Sequence, residues 1–100
     1  MSTKCWARVW DGGDFEGPSF QFDGPGEWSS LRDLEGQDWH DRILSVEVGA
    51  DAVVECFHDE GFSGKRVIYG PFSRIPNVGA DMRDEFDSVR VFAYKEYRSK

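Results

Sequence analysis

The amino-acid sequence contains one pattern of aromatic residues and glycine twice, and this repeat limits the possible folds more than any other feature. The pattern is an aromatic residue, four residues, a second aromatic residue, one residue and glycine. It occurs at Trp10, Phe15 and Gly17 and, 47 residues later, at Phe57, Phe62 and Gly64. A second correspondence, at an offset of 43, relates residues 41–48 to residues 84–91. The order is the same in both halves, so the chain is predicted to consist of two similar units.

Short runs of β-forming or alternating residues recur in both units. They are residues 7–10, 19–22 and 45–48 in the first unit and residues 53–57, 66–69 and 88–91 in the second. The best helical candidate, residues 31–40, is interrupted by Gly36 and predicts at most one or two helical turns. Short strands between glycine-rich turns indicate an all-β chain, in which two Greek-key motifs pack as a β-sandwich around one core.

The boundaries of the units follow from the same repeats. We expect one domain over residues 1–100, with Greek keys at about 5–49 and 52–93 and a basic, solvated tail at 95–100. The two offsets differ by four, so the first unit has a connection four residues longer, within residues 23–38. Turn-forming residues occur there at Gly24, Pro25, Gly26 and Gly36.

The repeated glycines and serines suggest how each unit is closed. Gly17 and Gly64 follow an aromatic residue inside a predicted hairpin, where a sharp reversal favours a positive φ. Ser45 and Ser88 each begin an alternating strand, and a buried hydroxyl there can bond the backbone of the bent hairpin. The alternative is that both serines are ordinary solvated residues.

Size and charge narrow the classes of partner. The chain has 100 residues with 39% hydrophobic and 15% aromatic residues, which suffices for one compact core. A net charge of −7 is the wrong sign for binding phosphate backbones, so we expect no nucleic-acid partner. The first half carries −6 of this charge and is the better partner for cations.

The sequence contains no signal for a membrane or for export. No apolar run approaches the roughly 18 residues that a membrane helix needs, so we expect no membrane partner. The first four residues lead into a strand-like stretch and not into the apolar core of a signal peptide, which slightly favours a cytoplasmic location. We expect a monomer, and the sequence leaves any protein partner open.

Two cysteines, Cys5 and Cys56, are too few for a disulfide framework. Both occur in runs that resemble strands, where a free buried thiol is the more common outcome, with one bridge as the alternative. Their spacing relative to the two histidines matches no zinc pattern, so neither a zinc site nor a thiol catalyst is expected.

At these residues the sequence resembles the βγ-crystallin family. The family's Greek-key motif has the same aromatic and glycine spacing, followed by a serine, and the match extends over about residues 5–93. The single-domain length and the acidity are similar to the microbial and invertebrate members. The residues that match the motif are Trp10, Phe15, Gly17 and Ser45 in the first unit and Phe57, Phe62, Gly64 and Ser88 in the second.

The resemblance implies a calcium site in each unit. Many microbial members bind calcium through the stretch (Asn/Asp)-(Asn/Asp)-x-x-(Ser/Thr)-Ser, and the equivalent stretches here are residues 40–45 and 83–88. Calcium requires about six to eight oxygen ligands. The implied ligands are the side chains of Asp41, Asp84 and Asp87 and the carbonyl groups of Arg42, Glu85, Asp11 and His58.

Both stretches depart from the family pattern. Their first positions are His40 and Arg83, and the fifth position is Leu44 in one stretch and Asp87 in the other. Leu44 has no oxygen to offer, whereas Asp87 adds a carboxylate. We therefore expect one weak calcium site, completed by Asp87, with two sites or none as alternatives. In the last case Arg42 or Arg83 would stand in for the ion as an internal counter-charge.

The sequence bears on three classes of function. The resemblance implies a non-enzymatic structural or stress-type protein. The alternative is a protein-binding module of inhibitor or toxin type that uses the exposed connection 23–38 and Trp28, a residue that could equally belong to the core. An enzyme is not expected, because no catalytic constellation can be placed. The adjacent pairs His40–Asp41 and His58–Asp59 are predicted to point apart in a strand or to lie exposed in a turn.

Overall fold

The computed structural model describes residues 4–79 and 86–97, and this part of the chain contains eight short strands. A 3₁₀ turn at Gly13–Phe15 follows the first strand, and one helical turn, α1, comes last at Tyr94–Tyr97. The strands are β1 (Trp6–Trp10), β2 (Ser19–Asp23), β3 (Gly26–Trp28), β4 (Ser45–Val48), β5 (Ala52–Asp59), β6 (Ser63–Tyr69), β7 (Arg74–Ile75) and β8 (Ser88–Ala93).

The strands form two antiparallel sheets that exchange one strand. The first sheet has the order β2-β1-β4-β7 and the second the order β3-β8-β5-β6. Each unit therefore places its first, second and fourth strands in one sheet and its third strand in the other. This arrangement confirms the predicted all-β sandwich of two Greek keys.

The strand predictions were incomplete at the third strand of each unit. All six predicted strands are present, but β3 and β7 were missed, and the connection 23–38 proved to contain β3 where a loop was expected. Both missed strands have two or three residues, too few to show alternation, and they form because their neighbours in the other unit supply hydrogen-bonding edges. Gly26–Trp28 pairs with β8, and Arg74–Ile75 pairs with β4.

The core lies between the sheets and receives large side chains from the connections as well as from the strands. Trp39 and Leu31 come from the segment between β3 and β4, and both are buried. The segment forms no helix; it contains a tight turn closed by an isolated bridge between Leu34 and Gln37. Trp28 is half-buried and packs edge-on against Phe22 with ring centroids 4.8 Å apart, so it belongs to the core.

The cysteines are free, as the sequence favoured. Cys5 and Cys56 are both buried and unbridged. Burial raises the pKa of each thiol, and nearby carboxylates add to this effect, from Asp51 at Cys5 and Glu55 at Cys56. Both thiols are therefore protonated at neutral pH, which is typical of structural cysteines.

The segment 95–100 was predicted to be a solvated tail, and its beginning packs on the second sheet. The Tyr97 hydroxyl lies 3.3 Å from a carboxylate oxygen of Glu55, and its ring stacks on Phe92 at 5.3 Å. Residues 98–100 lie outside the described residues. In the described part of the chain, no helix has the length and apolar character needed to cross a membrane.

Candidate functional site

The two hairpins are closed by the two repeated serines with matching geometry. Ser45 donates its hydroxyl to the carbonyl of Gly12 at 2.6 Å and accepts from the amide of Phe15 at 3.0 Å. Ser88 donates to the carbonyl of Asp59 at 2.6 Å and accepts from the amide of Phe62 at 3.0 Å. Both serines are fully buried, so the predicted role as ties between hairpin and strand is confirmed.

The hairpin glycines have the backbone conformation that the motif predicted. Gly17 has a φ of +88° and Gly64 a φ of +79°. The preceding aromatic residues are also left-handed, with φ of +60° at Phe15 and +61° at Phe62, which sequence reasoning missed because aromatic residues seldom adopt this region. Their rings pack edge-on against the first aromatic residue of each motif, at 5.2 Å and 5.7 Å.

Backbone hydrogen bonds attach Leu44 and Asp87, the fifth positions of the two stretches that resemble calcium-binding motifs, to different hairpins. The amide of Leu44 bonds the carbonyl of Trp10 at 2.9 Å, and the amide of Asp87 bonds the carbonyl of Phe57 at 2.9 Å. The amide of Asp41 lies 3.3 Å from the carbonyl of Phe86. Asp41, from the first unit, is therefore close to Asp87 of the second unit, so the candidate site at Asp87 combines residues of both units.

In the site that includes Leu44 and Asp11, an arginine side chain pairs with the carboxylate. The Arg42 guanidinium donates to the Asp11 carboxylate at 3.0 Å and to the Asp38 carbonyl at 2.6 Å, and it lies 4.8 Å from the ring centroid of Trp39. Leu44 contributes no oxygen. Among the described residues of this site, Arg42 already neutralises the carboxylate of Asp11. The further residues assigned to these stretches, Arg83, Asp84 and Glu85, lie outside the described residues.

The site that includes Asp87 gathers three carboxylates and two basic side chains, and we refer to these five residues as the Asp87 cluster. Asp41 is 2.9 Å from His40, and Arg32 is 3.7 Å from Glu60. One oxygen of Asp87, Oδ2, lies 3.8 Å from both Arg32 and His40. Its other oxygen, Oδ1, is buried and has no hydrogen-bond partner among the described residues.

The Asp87 carboxylate is the least hydrated acid of this cluster, with a side chain only 9% exposed. Burial raises its pKa, His40 and Arg32 oppose that rise, and the like charges of Glu60 and Asp41 add to it. A buried carboxylate with an unpartnered oxygen is costly, and a divalent cation would relieve that cost. Within the described residues, however, no three His, Cys, Asp or Glu side chains are already arranged to hold a metal ion.

Both histidine–aspartate pairs are in contact, at 2.9 Å between His40 and Asp41 and at 3.0 Å between His58 and Asp59. The second pair lies at the end of β5, where the side chains were expected to point apart. The first pair lies in a turn, where Asp41 has a φ of +57° and is exposed, as expected for a turn. The side chains that His40 contacts are Arg32, Asp41 and Asp87.

Sequence reasoning missed two members of the Asp87 cluster, Arg32 and Glu60. Arg32 lies within the connection that is four residues longer in the first unit, and that extra length was the available signal. Glu60 lies at the tip of the β5–β6 hairpin, where the amide of Gly61 bonds the carbonyl of Ser29 at 2.9 Å. This contact brings the hairpin tip and the connection together.

Comparison with known proteins identifies the fold. No protein-family model matches the sequence, and no curated protein matches it either. Among the solved structures that superimpose over most of the chain, three illustrate the similarity. One, from work on the evolution of the eye lens βγ-crystallin domain fold, has a TM-score of 0.81 and 22% identity and covers 92% of this chain and 89% of its own.

The other two are bacterial. A βγ-crystallin domain from Clostridium beijerinckii has a TM-score of 0.72 and 24% identity, over 86% of this chain and 95% of its own. A βγ-crystallin domain from Flavobacterium johnsoniae has a TM-score of 0.73 and 20% identity, over 87% of this chain and 93% of its own. The paired hairpins, the serine ties and these superpositions together show that the chain has the βγ-crystallin domain fold.

Proposed function

We propose that this protein is a non-enzymatic, monomeric structural or stress-type domain with one weak calcium site at the Asp87 cluster. The observation that carries the site is the buried Asp87 carboxylate, whose Oδ1 atom has no partner. Two further carboxylates, of Asp41 and Glu60, lie within the same group of charges. A calcium ion at this position would be coordinated by the Oδ1 atom of Asp87, and its two positive charges would balance two of the three carboxylates.

The residues that would hold the ion are those of the chain itself. Asp87 and Asp41 would supply carboxylate oxygens, and the Glu60 side chain, being half-exposed, can turn toward the ion. His40 and Arg32 would have to move away from Asp87, and this rearrangement is why the affinity is expected to be low. The carbonyl of His58 is a further oxygen, implied by the resemblance to calcium-binding relatives.

Catalysis has little support in the chemistry of the chain. Both thiols have raised pKa values through burial, so neither is an activated nucleophile. The alternative, a protein-binding module, relies on Trp28 as an exposed aromatic contact. Trp28 is half-buried and packs against Phe22. Of the three classes of function, a structural role is therefore the one that the geometry favours.

Calcium calorimetry on chelator-stripped protein tests the site. We expect one ion per chain with a dissociation constant on the order of 0.1 to 1 mM, the range of weak extracellular calcium modules. Asp87→Asn should weaken binding at least tenfold, because it removes the buried negative charge. Asp11→Asn is the control, since it removes an acid from the other candidate site, and it should change the affinity less than about twofold. Two ions per chain, or a loss of binding in Asp11→Asn, would contradict the proposal.

A further inference from the structure

The connection between β3 and β4 contains Arg32, which lies in the Asp87 cluster. Arg32 contacts Glu60 at 3.7 Å, Asp87 at 3.8 Å and the His40 ring nitrogen at 3.0 Å. The backbone next to it is anchored, because the amide of Leu31 bonds the carbonyl of Asp87 at 3.1 Å and the Leu31 side chain is fully buried. The position of the Arg32 backbone is thus fixed beside the cluster.

The guanidinium makes its short contact, at 3.0 Å, with the His40 ring nitrogen and not with a carboxylate. Its two contacts with carboxylates are 3.7 and 3.8 Å long, whereas charge-assisted hydrogen bonds of nitrogen to oxygen are about 2.7 to 2.9 Å. The side chain is 52% exposed, so it can swing into solvent without losing much packing. Arg32 therefore neutralises Asp87 from a distance and leaves its Oδ1 atom unpartnered.

Arg42 in the other site behaves differently. It makes a 3.0 Å bond to a carboxylate and a 2.6 Å bond to a carbonyl, and it lies over the Trp39 ring at 4.8 Å. These contacts fix the guanidinium in place. The two sites thus contain two kinds of internal cation. Arg42 is bonded to a carboxylate at 3.0 Å, whereas Arg32 lies 3.7 and 3.8 Å from the carboxylates that it neutralises.

We infer that the Arg32 guanidinium competes with a divalent cation for the carboxylates of the Asp87 cluster. This competition sets the affinity of the cluster for the cation. This inference rests on the proposed function, because it concerns the same site. When the ion binds, the guanidinium moves into solvent, and when the ion leaves, it returns as the counter-charge of Asp87 and Glu60. Removing its charge should strengthen ion binding, because the ion then meets three carboxylates with one positive charge fewer nearby.

The experiment is calcium calorimetry on the full chain and on three variants. Arg32→Gln removes the charge and should raise the calcium affinity about tenfold or more. Arg32→Lys keeps the charge and should stay within about threefold of the original chain. Arg8→Gln makes the same change of net charge on the first sheet, where Arg8 contacts Gln21 and Ser19, and should change the affinity less than about twofold.

The outcomes separate this inference from the proposed function. If the original chain binds calcium and Arg32→Gln binds it no more tightly than Arg8→Gln does, the role of Arg32 is wrong and the site stands. If only Arg32→Gln binds, Arg32 is the competitor and the site is closed in the original chain. If neither protein binds calcium while both melt cooperatively, the inference and the proposed function are both wrong.

Discussion

Replacing Ser88 by alanine should lower the free energy of unfolding by about 2 to 4 kcal/mol. The Ser88 hydroxyl is fully buried and pairs with two backbone groups, the carbonyl of Asp59 and the amide of Phe62. Alanine would leave both without a partner and without access to water, and each such loss costs about 1 to 3 kcal/mol. For a domain of this size the Tm should fall by about 10 °C or more.

Urea unfolding of the variant measures this loss directly. Ser63→Ala is the matched control, because its hydroxyl bonds one carbonyl, that of Glu60, in an exposed position of the same hairpin. The control should lose less than about 0.5 kcal/mol. Ser45→Ala should behave as Ser88→Ala does, because its hydroxyl makes the equivalent bonds. Equal stabilities of Ser88→Ala and Ser63→Ala would show that the tie does not stabilise the hairpin.

Replacing Gly64 by valine should lower the free energy of unfolding by about 1 to 3 kcal/mol. Gly64 has a φ of +79°, where a β-branched side chain is strained. A Cβ atom there would also overlap the carboxylate of Asp59, which would have to move. Thermal and urea unfolding should both report the loss.

Gly70→Val provides the comparison for this substitution. A Cβ atom at Gly70 meets nothing within 4 Å, and its φ lies outside the left-handed region. Gly17→Val isolates the backbone effect, because Gly17 has a φ of +88° but its added Cβ atom would come no closer than 3.7 Å to another atom. The expected order of loss is Gly64→Val, then Gly17→Val, then Gly70→Val. A Gly70 variant as unstable as the other two would contradict the role of the positive φ.

The hairpins could be predicted from the sequence because their determinants are local and repeated. Phe62, Gly64 and Ser88 keep fixed spacings to their counterparts, and each has a direct physical role in the bend. The third strands could not be predicted in this way. Gly26–Trp28 has three residues and owes its conformation to pairing with β8, more than 60 residues away in the chain.

The candidate site was only partly predictable for the same reason. Asp41 and Asp87 could be selected from the calcium-type stretches, but their proximity depends on how the two units pack. Arg32 and Glu60 belong to no motif and enter the cluster through the contact between the connection and the β5–β6 hairpin. The alternative of an arginine as internal counter-charge was foreseen for Arg42, and the contact of Arg42 with Asp11 supports it.

The central claim is that one of two equivalent ends of the sandwich keeps a cation site while the other is held by Arg42. Amide chemical shifts of isotope-labelled protein, followed by NMR during a calcium titration, test it most directly. The account predicts saturable shifts at Glu60, Gly61 and Asp87 and unchanged positions for Gly12 and Phe15 in the first hairpin. Saturable shifts of equal size in both hairpins, or shifts confined to the first, would contradict it.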